Sequence, residues 1–189
     1  MQRPDEKKRR EIMTVAAKLF AERPFHAVRL EDIAKKTRLG KGTIYVYFAS
    51  KEELHSVLVA EALHELTAEL RLASKDRSTP SWTTIERLLH SMLAFAERFP
   101  HIYTLMRTNV PDARIVAERE SLVAAITAVL RRGRRRGELR DAHPELTAEF
   151  LLAFVRAALL AKPGRLSHRA IARHALGVLG HGILARRSR

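Results

Sequence analysis

Between residues 41 and 51 the chain carries Lys41, Thr43, Tyr45, Tyr47 and Lys51. The three hydroxyls can donate to phosphate oxygens or base edges, and the two ammonium groups can neutralise phosphates. Lys51 directly follows Ser50 and stands two residues before Glu53. Ser-x-x-Glu is the spacing of a capping box, so Lys51 falls at a helix N-terminus whose free N–H groups favour an anion. Arg29 and Arg38 are two further cations nearby that could reach a phosphate. These residue types grip a polyanion; none of them forms a recognisable bond-breaking constellation.

The elements that must position them are short. Residues 30–37 (LEDIAKKT) read as a helix with acids at its start and lysines at its end, the polarity that the helix dipole favours. Residues 38–40 (RLG) read as a turn, with Gly40 expected to supply the left-handed backbone of a sharp reversal. Residues 41–48 form a second short helix, and Ser50 opens a third. Two short helices across a glycine-bearing turn are a helix-turn-helix, whose second member lies in the major groove of DNA. Upstream, Ile12, Val15, Ala16, Leu19 and Phe20 form one apolar helical stripe that Pro24 stops. Ile33, Ala34, Leu39, Ile44, Phe48 and Leu54 should complete the core of a three-helix domain. Residues 1–10 read as a polar basic tail, solvated or laid along flanking phosphates.

This segment resembles the DNA-binding domain of the TetR family of bacterial transcriptional regulators. The resemblance rests on Phe20-Ala-Glu22, Leu30-Glu-Asp-Ile-Ala34, Lys41-Gly-Thr-Ile-Tyr45, Tyr47-Phe48, Ser50-Lys51 and Leu54, about the first third of the chain. It implies that Thr43 and Tyr45 face the groove and that Tyr47 and Lys51 lie over phosphates; Lys41 joins the contact set, and Arg29 joins it as a phosphate candidate by residue type alone. There are two departures. The family usually has Ser or Thr as helix cap at the position of Arg29, and Gly and Ser at the positions of Arg38 and Gly40. An arginine cannot accept the N–H bonds that a cap supplies, which typically costs about 1 kcal/mol.

The remainder is all-helical by pattern. A long helix over 51–73 leads to a polar break at 74–81; helices follow over 82–98, 101–108, 111–132, 144–161 and 167–186. The fold class is therefore all-α, a helix-turn-helix domain over residues 1–50 joined to a helical domain over 51–189 that, by the resemblance, binds ligand and dimerises. By resemblance, Trp82, Met92, Phe95, Phe99, Tyr103 and Met106 line a small-molecule pocket, and core packing explains the same residues equally well. Phe150, Phe154, Leu176, Leu179 and Ile183, on the last two helices, face a second copy. The implied protein is a cytoplasmic homodimer that represses at a pseudo-palindromic operator. A small lipophilic molecule would release it by moving the 51–73 helix.

Composition narrows the classes. The net charge of +14 points to a polyanionic partner. Residues 1–55 hold 13 Lys and Arg against 8 Asp and Glu, so much of the excess lies outside the helix-turn-helix. There is no cysteine; among the nine histidines no HExxH pair occurs, and no metal site or cofactor is expected. No nucleophile elbow or phosphate loop is present, which argues against an enzyme. No apolar run approaches a membrane span. The run Arg-Arg-Gly-Arg-Arg-Arg, from Arg131 to Arg136, reads as a solvated helix end favoured by the dipole, the alternative being a second nucleic-acid site. That alternative supports a rival function, a non-specific nucleic-acid-binding accessory protein without a ligand.

Overall fold

The computed structural model describes residues 5–98, 112–160 and 167–183. Among them are eight α-helices and no strand: α1 (Glu6–Glu22), α2 (Leu30–Thr37), α3 (Lys41–Tyr47), α4 (Lys51–Lys75), α5 (Ser81–Arg98), α6 (Ala113–Arg135), α7 (Pro144–Leu160) and α8 (His168–Ile183). A single 3-10 turn spans Phe25–Ala27. The expected 101–108 helix and Pro111 lie outside the described residues; α6 begins at Ala113, after Asp112, whose Oδ1 accepts the Arg114 N–H at 2.8 Å. The chain forms two compact units, residues 1–62 with 99–115, and residues 63–98 with 116–189.

In the first unit α1 packs on α2, and α2 on α3. Ile12, Ala16, Leu19, Phe20, Ile33, Ile44, Phe48 and Leu54 are all but fully buried. Met13 joins this core, while Val15 and Leu39, expected there, are half-buried. The basic tail is shorter than its composition suggests. Asp5 Oδ1 accepts the Lys7 N–H at 2.8 Å and starts α1 at Glu6, and Arg9 pairs with Glu61 at 2.7 Å and Glu6 at 3.6 Å. The cap and the ion pairs make residues 6–10 helical. His55 is buried edge-on against the rings of Phe20 and Phe25, with centroids 6.2 and 4.9 Å away.

In the second unit α5 packs on α7 and α8, which also touch each other. The polar stretch at 74–81 is a built turn: the Asp76 carboxylate accepts the Ser78 N–H and the hydroxyls of Ser78 and Thr79. Helix α6 does not stop at Gly133. It continues to Arg135, and Gly133 within it is buried against Ser81 and Leu139, where there is no room for a side chain. Its end is a Schellman motif at Gly137, φ +70: the Glu138 N–H bonds to the Gly133 carbonyl at 2.9 Å and the Gly137 N–H to that of Arg134 at 3.1 Å.

Candidate nucleic-acid interface

Helix α2 starts without a side-chain cap. The Arg29 side chain is a cation with nothing to accept, but the Asp32 carboxylate takes the Arg29 N–H at 3.1 Å. The reciprocal half of a capping box thus survives, and the Arg29 guanidinium stays exposed. The turn is made differently from the expectation at Gly40. Arg38 takes the left-handed conformation, φ 55 and ψ 26, while Gly40 is extended at φ −64 and ψ 146 and precedes α3 as its N-cap. The Leu39 N–H reaches the Ala34 carbonyl at 3.1 Å and the Arg38 N–H that of Lys35 at 3.4 Å. This is the same Schellman end as at Gly137, with an arginine where glycine is easiest.

Helix α3 is pinned by Ile44, fully buried, and by Phe48 just beyond its end. Its outer face carries Lys41, Gly42, Tyr45 and Val46; Tyr45 is 44% exposed and Val46 69%. Nothing lies within 4 Å of where a Gly42 Cβ would be, so that face is open. The Lys41 ammonium makes a close ion pair with Glu31 and lies 5.8 Å from the centre of the Tyr45 ring. Their mutual hydrogen bond holds the Glu31 carboxyl below its usual range and Lys41 above its own. Thr43 is half-buried. Tyr47 Oη accepts the Asp5 N–H at 2.9 Å, which ties α3 to the start of α1 and leaves the phenolic proton to donate.

Lys51 opens α4. The Ser50 hydroxyl accepts the Glu53 N–H at 3.0 Å, and the Glu53 carboxylate reaches back to the Ala49 N–H at 2.6 Å. The Lys51 ammonium itself turns inward, donating to the Phe25 carbonyl oxygen at 3.0 Å over the ring of the same residue. Chemically, the surface around α3 offers a hydroxylated aromatic ring and an apolar side chain for base edges, with cations and a phenol at its border. Such a surface has the chemistry to meet both base edges and phosphates. Val46 escaped the reading from residue types, since an isolated valine in a helical pattern usually packs inward; its period on α3, two residues past buried Ile44, was the available signal.

Residues 12–56 match the family model described as "Bacterial regulatory proteins, tetR family". Over 147 residues the chain is 26% identical to the uncharacterized HTH-type transcriptional regulator YhgD of Bacillus subtilis, covering 75% of this chain and 76% of YhgD. Residues 12–56 belong to the TetR family. The chain is a DNA-binding transcriptional regulator of the helix-turn-helix type, a class that is not enzymatic.

Two further family members extend the comparison. The HTH-type transcriptional repressor KstR2 of Mycobacterium tuberculosis is 34% identical over 94 residues, half of this chain and 45% of KstR2. Its structure, described as that of a ketosteroid transcriptional regulator, matches with a TM-score of 0.72 at 22% identity over 97% of both chains. The regulator FadR of Bacillus subtilis, solved in complex with stearoyl-CoA, gives 0.77 at 16% identity over 89% of this chain and 96% of FadR. At such identities the structural likeness shows the fold.

The remaining candidates lie in the second unit. Met92 and Phe95 are buried in its core and Trp82 is half-buried; Phe99, Tyr103 and Met106 lie outside the described residues. On α7, Phe150 is half-exposed and Phe154 half-buried; on α8, Leu176 and Ile183 are half-buried and Leu179 is buried by its own chain. Leu146 and Val178, not singled out from the sequence, are each about half-exposed beside them. No helix among the described residues is long and apolar enough to cross a membrane.

Proposed function

We propose that the chain is a homodimeric repressor that binds a pseudo-palindromic operator and is released by a small lipophilic molecule. The observation that carries the reading is the open face of α3, where Tyr45 and Val46 stand in solvent on a helix anchored from behind by Ile44 and Phe48. Residues 1–50 act as the DNA-binding domain and 51–189 as the regulatory and dimerisation domain, in the cytoplasm. Tyr45, Val46 and Thr43 read base edges, and Arg29, Lys41, Tyr47 and Lys51 hold phosphates. Val46 adds to the set a methyl surface suited to thymine.

Dimerisation through α7 and α8 is supported by the half-exposed Leu146, Phe150 and Val178, apolar side chains that a second copy would cover. Repression and a lipophilic effector are supported by the relatives, a repressor named for ketosteroids and a regulator solved with an acyl-CoA. Met92 and Phe95, with Trp82 and the residues 99, 103 and 106, supply apolar and soft side chains for such a molecule. The effector releases DNA only through a difference in its affinity for the two states of the protein.

The test is selection of bound fragments from the source genome at about physiological ionic strength, with wild type beside a Tyr45→Ala/Val46→Ala variant. A few palindromic sites recovered by the wild type and lost by the variant are expected. Recovery without sequence preference, equal for both proteins, would overturn the reading in favour of a non-specific accessory protein.

A further inference from the structure

The basic run near the end of α6 divides by helical period into two faces. Arg131 pairs with Glu145, and Arg134 points to the Ala142 carbonyl at 3.5 Å. Arg132, Arg135 and Arg136 instead line a groove of about 700 Å³ that Lys75 and Arg77 enter from the end of α4 and the turn after it. No carboxylate is among the lining residues; Glu138 comes within 3.7 Å of Arg136 from outside the groove. Lys75, Arg77 and Arg135 form no ion pair among the described residues.

Solvated charges would spread apart, since five like charges around one concavity repel. Here two of them are fastened in place. The Arg132 guanidinium donates to the Ser74 carbonyl at 2.9 Å and the Thr84 hydroxyl at 3.3 Å, and Arg136 donates to the Arg77 carbonyl at 2.8 Å. The Arg132 Nε is buried and meets no acceptor. Two guanidinium groups fixed at the end of α6, with Lys75 and Arg77 on the same groove from the end of α4 and the turn after it, suit a compact polyanion of phosphate geometry. A duplex backbone would call for a stripe along one face, whereas these groups line one open concavity.

We infer that this groove binds one small diphosphate-bearing anion per chain. It lies wholly within the second unit and does not depend on the operator reading. Calorimetric titration and thermal melts with inorganic pyrophosphate test it on the full chain, comparing wild type, Lys75→Ala/Arg135→Ala and the charge-preserving Arg135→Lys. Saturable one-to-one binding is expected in the wild type, weakened by about tenfold for each cation removed and largely retained in Arg135→Lys. The pyrophosphate-induced rise in melting temperature should vanish in the double variant, which should still bind operator DNA. Parallel titrations with ADP and coenzyme A distinguish a bare diphosphate from a nucleotide-borne one by which binds tighter. Absence of saturable binding, or equal binding by wild type and the double variant, overturns the inference. So does a non-operator duplex that displaces pyrophosphate and itself loses affinity in the double variant, because the groove would then be a nucleic-acid site.

Discussion

The Lys51 ammonium donates to the Phe25 carbonyl oxygen at 3.0 Å and lies 4.3 Å from the centre of the Phe25 ring. One side chain thus joins the start of α4 to the 3-10 turn that follows α1, beside a cluster of Phe20, Phe25 and His55 in which His55 meets both rings edge-to-face. Phosphate binding and internal bracing draw on the same cation, and they are separable by experiment. Lys51→Ala is expected to lower unfolding free energy by about 1–2 kcal/mol, from a charge-assisted hydrogen bond and a cation–π contact that are both partly exposed. Denaturant melts measure this. If Lys51 also holds a phosphate, the slope of log affinity against log salt for operator binding falls by about one; an unchanged slope leaves the bracing role alone.

Tyr45→Ala and Val46→Ala should each cost about 1–3 kcal/mol in operator affinity. Their exposure on α3 means that unfolding free energy should move by no more than about 0.5 kcal/mol. Binding isotherms beside melts decide it, and a large loss of stability would show that these side chains pack rather than read.

The left-handed Arg38 is strained relative to glycine, and Gly40 gives α3 a cap without a side chain. Arg38→Gly is expected to stabilise the protein by up to about 1 kcal/mol. Gly40→Ser should add a few tenths of a kcal/mol through a cap hydroxyl, and the site has room, the nearest atom to a Cβ being Thr43 Oγ1 at 3.8 Å. A melting temperature lowered by either substitution would contradict the turn described here.

At Gly133 the sign reverses. A methyl group there would lie 2.6 Å from Leu139 Cδ1 and 2.8 Å from Ser81 Cβ, so Gly133→Ala should destabilise by about 1–3 kcal/mol despite alanine's better helix propensity. Gly42→Ala, with nothing within 4 Å, is the control and should gain up to about 1 kcal/mol. Equal effects at the two positions would refute the close approach.

Glu138 supplies a pH dependence. Burial opposes its ionisation, but the Ser81 N–H at 2.6 Å, with Arg136 and Arg132 nearby, outweighs this and holds the carboxyl below its ordinary 4.5. A depressed carboxyl contributes stability above pH 4.5 that is lost as pH falls through the lower folded value. Melting temperature followed downward from pH 5 or so should therefore fall less steeply in Glu138→Gln than in the wild type.

Much of this was legible in residue order because it is local. The apolar spacing of Ile12, Ala16, Leu19 and Phe20, the Ser50–Glu53 cap and the run from Lys41 to Phe48 each depend on neighbours within a turn or two of helix. Gly40 misled for a related reason: glycine permits a left-handed backbone without requiring one, and the i→i+5 bond from Leu39 to Ala34 put that conformation at Arg38. Gly133 looked like a helix end, whereas a long-range contact with Ser81 and Leu139 used its missing side chain.

By itself, then, the sequence determined the all-helical class, the helix-turn-helix and the family, since periodicity, capping and a contiguous motif are short-range properties. Tertiary structure decided where the cations point. Lys51 turns to a carbonyl 26 residues away, and Arg132 and Arg136 reach the Ser74 and Arg77 carbonyls across 58 and 59 residues of chain. A long, flexible side chain carries its charge in the sequence, but its partner is chosen by packing.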